Sequence, residues 1–187
     1  MKKIFVATQN KGKVGEISDI LQIPLEFADI EIDEVQSMDL EYVARQKAKE
    51  AFKILKKPVI VDDVGVYIEA WNSFPGPFVK YAHNLLGNTK ILDLLKNEKN
   101  RKVIVQSAVA YHDGRKIHTF IGTVKGTLSF EEKGKEGWGF DPIIIPYGEK
   151  LTFGEMGIKR KNQVSHRAKA LDKFKKFLDS QKQKKEI

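Results

Sequence analysis

No cysteine occurs in the 187 residues. That excludes disulfide bonds and thiolate metal sites. Long apolar runs are missing as well. The opening Met1-Lys2-Lys3-Ile4-Phe5-Val6-Ala7-Thr8 is too short an apolar stretch for a signal peptide. No segment approaches the ~20 apolar residues of a membrane-spanning helix. No internal repeat, low-complexity tract or linker divides the chain. The expectation is a soluble cytoplasmic protein, one domain over residues 1–187, with no membrane partner.

What is present suffices for a core. The chain is 41% apolar and 10% aromatic, which points to order rather than disorder. A net charge of +8 and a pI near 9.4 raise the question of a nucleic-acid partner. Residues 1–158, however, carry 22 Lys+Arg against 22 Asp+Glu, while residues 159–187 carry 11 against 3. The excess belongs to one C-terminal segment, as a solvated helix end would. A nucleic-acid partner is therefore disfavoured.

Val59-Ile60-Val61 reads as a strand buried on both faces, running into Asp62, Asp63, Val64 and Gly65. Two carboxylates at the end of a buried strand need compensation from a basic partner, backbone N–H groups or a divalent cation such as Mg²⁺. Around this stretch the patterning predicts strands at Lys2–Thr8, Leu25–Ile32, Val103–Tyr111 and Ile117–Val124, the last two paired across His112-Asp113-Gly114-Arg115. It predicts helices over Lys13–Leu21, from an Asp39 cap to about Leu55, over Phe78–Leu86 and Thr89–Leu95, and from about Val164 to Gln181. The expected fold class is α/β: a mixed sheet with helices on its faces.

Four places break the local rules. The loop from Thr8 to Lys13 joins a strand to a helix start, where free amides suit an anion, and Lys11 and Lys13 add charge. On the second helix Lys47 falls inside the apolar stripe of Leu40, Val43, Ala44, Ala51, Ile54 and Leu55, so it must snorkel out or meet an anion. Arg167 sits likewise on the face of Val164, Leu171, Phe174 and Leu178, close to Lys161, Asn162, Ser165 and His166. In Trp138-Gly139-Phe140-Asp141-Pro142 two aromatics flank a glycine and precede an acid, which suits stacking on a flat base. Each has an ordinary structural reading. Together they supply phosphate donors, an inward cation, paired acids and aromatic surface.

The chain resembles, from end to end, the inosine triphosphate pyrophosphatase family. The motifs are Thr8-x-Asn10-x-x-Lys13, Glu34-x-Gln36, Asp62-Asp63-x-Gly65, Phe74-Pro75-Gly76, the Trp138–Pro142 segment, and Lys161-Asn162 with Ser165-His166-Arg167. The resemblance implies an elongated mixed β-sheet flanked by helices, two lobes around a central cleft, and a homodimer. It implies Mg²⁺-dependent hydrolysis of ITP, dITP and XTP to the monophosphate and pyrophosphate. Thr8, Gln9, Asn10, Lys11, Gly12, Lys13 and Lys47 would then hold the phosphates. Glu34, Asp62 and Asp63 would handle the metal, with Asp63 also the base. Trp138, Gly139, Phe140 and Asp141 would receive the purine, and Lys161, His166 and Arg167 would contact the nucleotide. The chain departs from the family pattern at Val64, where Ser or Thr is common, at Trp138, where Phe is usual, and at Phe140, where Tyr or Trp is common. The competing expectations are a nucleotide pyrophosphatase of different base preference and a basic nucleic-acid-binding protein.

Overall fold

The computed structural model describes residues 3–183. It opens with β1 (Ile4–Ala7), α1 (Lys11–Leu21), β2 (Leu25–Ala28), α2 (Leu40–Leu55) and the long β3 (Val59–Ile68). A two-residue strand, β4 (Pro75–Gly76), and helix α3 (Val79–Leu94) follow. The chain continues through β5 (Lys102–His112), β6 (Ile117–Leu128), β7 (Ile144–Pro146), α4 (Gly157–Val164) and α5 (His166–Gln183).

Six strands lie in the order β2-β1-β3-β5-β6-β7, with β4 on the side of β3. β1 pairs parallel with β2 and β3, and every other pairing is antiparallel. The sheet is mixed, as the interleaving of helices and hairpins predicts. Its alternating faces build two core clusters at one end. Ile4, Val6 and Ile60 face α1 and α5, meeting Ile17, Leu21, Leu171 and Phe174. Phe5, Ala7, Val59 and Val61 face the other way, onto Leu40, Ala44, Ala48 and Ala51 of α2. The far ends of β3, β5 and β6 enter a third cluster with Ile91, Leu95, Phe140, Ile143 and Phe153. The cleft opens between these regions.

Several boundaries differ from expectation. β2 stops at Ala28 rather than Ile32, because β1 offers partners only as far as Ala7, opposite Ala28. Ile30 and Ile32 still pack on the α2 side, from irregular chain. β3 does not end at the acids: all ten of its residues pair with β5, so Asp62 and Asp63 sit in mid-strand. The expected last helix is there as α5, and a short helix not expected from the sequence, α4, precedes it. Ser165 adopts an extended conformation and its hydroxyl accepts the Ala168 amide at 3.1 Å, capping α5 and separating it from α4. The expected pair of helices across residues 78–95 is there, joined at Gly87, whose φ of 66° no helix accommodates. Ile54 of α2 is exposed and Ala48 takes its place in the buried stripe. Lys2 lies outside the described residues, as do Lys184 and Lys185 of the basic segment.

Part of that basic segment has structural work. β7 covers only Gly126–Leu128 of β6, leaving the rest of this strand as an edge. Lys173 donates to Ile121 O at 2.7 Å and Lys169 to Thr123 O at 3.2 Å. Lysines on an exposed edge oppose strand-to-strand aggregation.

Candidate active site

β1 delivers the chain to Asn10, whose side chain accepts the Lys13 amide at 3.2 Å and caps α1. Helix α1 therefore begins at Lys11, two residues earlier than the periodicity suggests. The Lys11 and Gly12 amides occupy its first two positions, where a helix has no internal acceptors to offer. Lys13, one turn in, points to the sheet and donates to Asp62 O at 2.6 Å and to its carboxylate at 3.0 Å.

Successive side chains on a strand face opposite ways. Asp62 follows the face of Ile60 towards α1 and α5, and Asp63 follows Val61 towards α2. Asp62 is fully enclosed. It accepts from Lys13, from the Ser107 hydroxyl, and from Arg167 Nε and Nη2 at 3.1 and 3.0 Å. Arg167 also reaches Glu16, which shares its second oxygen with Lys161 Nζ at 2.6 Å. Lys161 closes on Asp141 at 2.7 Å, and Asp141 accepts the Trp138 amide at 2.8 Å. The result is a buried alternating run, Lys13–Asp62–Arg167–Glu16–Lys161–Asp141, in which Arg167 is 1% exposed, Lys161 2% and Glu16 4%. Three cations answer three anions, which is how such charges tolerate burial.

On the opposite face Lys47 Nζ lies 3.0 Å from Asp63 Oδ1 and also donates to Glu34. The lysine inside the apolar stripe thus turns inward. Asp63 Oδ2 is buried with no hydrogen-bond partner among the described residues.

These environments set the protonation states. Burial alone would raise the Asp62 carboxyl, but Arg167, Lys13 and the Ser107 hydroxyl outweigh it and hold it well below the ordinary carboxylate range. Glu34 behaves the same way: burial raises it, and the Lys47 charge and hydrogen bond bring it below its usual value. In Asp141 burial prevails over Lys161 and the shift is upward. His166 is enclosed beside Arg167; burial and that charge push it well below its normal range, so the ring is neutral at pH 7. Its Nδ1 has no partner among the described residues.

A cleft of about 550 Å³ collects most of the residues the sequence singles out. Thr8, Gln9, Asn10 and Lys13 line it from the α1 end. Glu34, Lys47 and Asp63 line the α2 side, and Trp138, Gly139, Phe140, Asp141, Lys161, His166 and Arg167 the other. Lys11 and Gly12 are exposed in the first turn and do not line it; neither does Asp62.

Two arrangements differ from the simplest picture of the site. Glu34, Asp62 and Asp63 do not converge on one point, because strand alternation turns Asp62 away; no cluster of three or more His, Asp or Glu able to hold a metal occurs among the described residues. Trp138 and Phe140 do not form one open shelf. The indole lies over two cations, with Lys161 Nζ 4.1 Å and Arg167 Cζ 5.2 Å from a ring centroid. Phe140 is buried in the core and its ring stands 5.7 Å from His83. Gly12 touches the same indole: a Cβ there would meet the ring at 2.8 Å.

Sequence reasoning missed Glu16 and Ser107. Glu16 is three residues after Lys13 and one before Ile17, a spacing that places it on the inward side of α1. Ser107 lies within a strand read only as apolar and carried no signal.

The chain matches the sequence model of the Ham1 family over residues 4–177. It is 45% identical over 185 residues to a dITP/XTP pyrophosphatase of Saccharolobus solfataricus, covering 97% of this chain and 96% of that protein. It is 44% identical to a dITP/XTP pyrophosphatase of Methanopyrus kandleri, over 92% of this chain and 94% of the relative. Among solved structures, a Ham1 protein of Staphylococcus aureus superposes with a TM-score of 0.81 at 27% identity. One from Coxiella burnetii gives 0.83 at 26%. Both comparisons cover 96% of this chain and the whole of the neighbour.

Proposed function

The chain belongs to the Ham1 family, and we propose that it hydrolyses dITP, ITP and XTP to the monophosphate and pyrophosphate. The activity for which its relatives are named supports this reading, as does the cleft's volume, which suits a nucleotide. The observation that carries it is the convergence of Lys13, Asp63 and Arg167, from three separate elements, on that one cleft.

In this reading the triphosphate lies from the α1 amides and Lys13 to Lys47, and the base reaches towards Lys161, His166 and Arg167. Asp63 Oδ2, buried and without a hydrogen-bond partner among the described residues, accepts a hydrogen bond from a water and takes its proton as that water attacks the α-phosphorus. The bond from the α-phosphorus to its bridging oxygen breaks and pyrophosphate departs. Lys13, Lys47 and the loop amides stabilise the charge that gathers on it, so positioning and electrostatics do most of the work. Both lysines are engaged by carboxylates, and the phosphates must draw them away.

Two carboxylates, Glu34 and Asp63, already share one cation in Lys47, Asp63 through Oδ1. Hard oxygen donors with room for water and phosphate suit Mg²⁺. We assign these two residues, without Asp62, to hold it. When bound, it would neutralise phosphate charge.

We further assign a cytoplasmic homodimer. Phe74, Tyr81 and Leu85 stand exposed together on and before α3, and this is the apolar face on which a second copy would seat. The primary test is pyrophosphate release, coupled to inorganic pyrophosphatase, over ITP, XTP, dITP and the four standard triphosphates, with and without Mg²⁺. Release from the first three supports the reading; release from none of the seven rejects it.

A further inference from the structure

Asp62 meets both ends of the cleft with one side chain. Its Oδ2 lies 3.0 Å from Lys13 Nζ, which serves the phosphate end, and 3.0 Å from Arg167 Nη2, which serves the base end. Its other oxygen is held by the Ser107 hydroxyl on β5. All three donors come from different elements, and the carboxylate itself is turned away from Asp63 and Glu34.

We propose that Asp62 is a positioning residue that couples triphosphate engagement at Lys13 to base engagement at Arg167. The coupling is electrostatic. While Lys13 stays on Asp62, the carboxylate divides its charge between two cations. When a phosphate draws Lys13 away, the whole of that charge falls on Arg167 and tightens its hold against α1 and β3. Glu16 carries the same restraint onward to Lys161. The two halves of a nucleotide are thereby recognised together, and a triphosphate bearing the wrong base meets an incompletely ordered site. This rests on the nucleotide reading given above.

The test is a double-mutant cycle read by binding rather than turnover. Inorganic tripolyphosphate, which has no base, is titrated calorimetrically without Mg²⁺ into the wild type, Arg167→Met, Asp62→Asn and the double variant. Coupling predicts that Arg167→Met weakens tripolyphosphate binding severalfold and that this effect vanishes in the Asp62→Asn background. Equal effects of Arg167→Met in both backgrounds overturn the proposal while leaving the nucleotide reading intact. No tripolyphosphate binding by the wild type counts against both. Should Asp62→Asn fail to fold, Ser107→Ala replaces it, since that variant frees the carboxylate without removing its charge. With one donor fewer, the retained charge rests more heavily on Lys13 and Arg167, so an enlarged Arg167 effect in that background supports the proposal and an unchanged one sinks it. Mn²⁺ titration of the free protein gives a second readout. Glu34→Gln should weaken Mn²⁺ binding and Asp62→Asn should not; equal weakening by both would make Asp62 a metal ligand instead.

Discussion

Lys47 stands between Asp63 and Glu34, 3.0 Å from Asp63 Oδ1, so that one ammonium neutralises two carboxylates brought together from a loop and a strand. Replacing it by methionine leaves two like charges facing each other. Because Glu34 is partly exposed, solvent screens some of the repulsion, and the expected loss is about 1–3 kcal/mol of stability. Added Mg²⁺ should then raise the melting temperature of Lys47→Met by more than that of the wild type. Equal shifts in the two proteins would argue against Glu34 and Asp63 as the metal's seat.

Glu16 joins two buried cations, Arg167 and Lys161. Glu16→Gln keeps the shape and removes the charge, leaving those cations as close neighbours. A buried pair broken at one partner typically costs about 3–5 kcal/mol, and urea unfolding would measure it. A loss below about 1 kcal/mol would mean that water reaches these groups.

His166 gives a pH signature. Its folded-state pKa lies well below its unfolded one, so below about pH 6.5 the unfolded chain takes up a proton that the native ring refuses. Its contribution to stability is present above that pH and is lost as pH falls. Unfolding free energies of wild type and His166→Gln, compared between about pH 7.5 and 5, should show a shallower decline in the variant. Asp62 has the same sign at lower pH: its pKa is depressed, so its contribution holds above about pH 4 and disappears on further acidification. Parallel curves for the two proteins would place His166 in contact with water.

Gly122 of β6 is where α5 rests on the sheet. A Cβ there would come within 1.9 Å of His166 O and 2.5 Å of Ala170 N, both backbone atoms that cannot swing aside. Gly122→Ala should cost about 1–3 kcal/mol and also displace the helix start that carries His166 and Arg167. Thermal unfolding and tripolyphosphate titration should both register it. A normal melting temperature with normal binding would show that α5 shifts without consequence.

Leu85 is 83% exposed on α3, beside Tyr81 and Phe74. Leu85→Glu removes no core contact and should leave the melting transition of the isolated subunit unchanged. If this face joins two copies, light scattering after gel filtration will find the variant monomeric where the wild type is dimeric. A dimeric variant would move the interface elsewhere.

Much of the molecule is legible from local pattern. The Asp39 cap, the α2 stripe with a lysine inside it, the β5–β6 hairpin and the two helices either side of Gly87 all follow from spacing and turn chemistry within a few residues, whereas the inward turn of Lys47 does not. The opening loop, Lys47, the paired acids, the Trp138–Pro142 segment and the stretch around Arg167 stood out by position and composition, Glu34 only through the family resemblance, and most of them do line the cleft. Where elements end was less accessible, because β2 stops for want of a partner strand and β3 continues because β5 supplies one.

The sequence by itself determined the kinds of groups available and the apolar run that leads into the paired acids; pairing with β5 carried the strand through them and so sent Asp62 and Asp63 to opposite faces. Only the tertiary structure decided what waits on each face. Asp62 meets an arginine 105 positions away and a serine 45 away, and Glu16 meets Arg167 across 151. Such pairings depend on which helix the sheet receives on which side, and no local propensity carries that information. This is why the paired acids look like one metal site in the sequence and serve two separate charge networks in the fold.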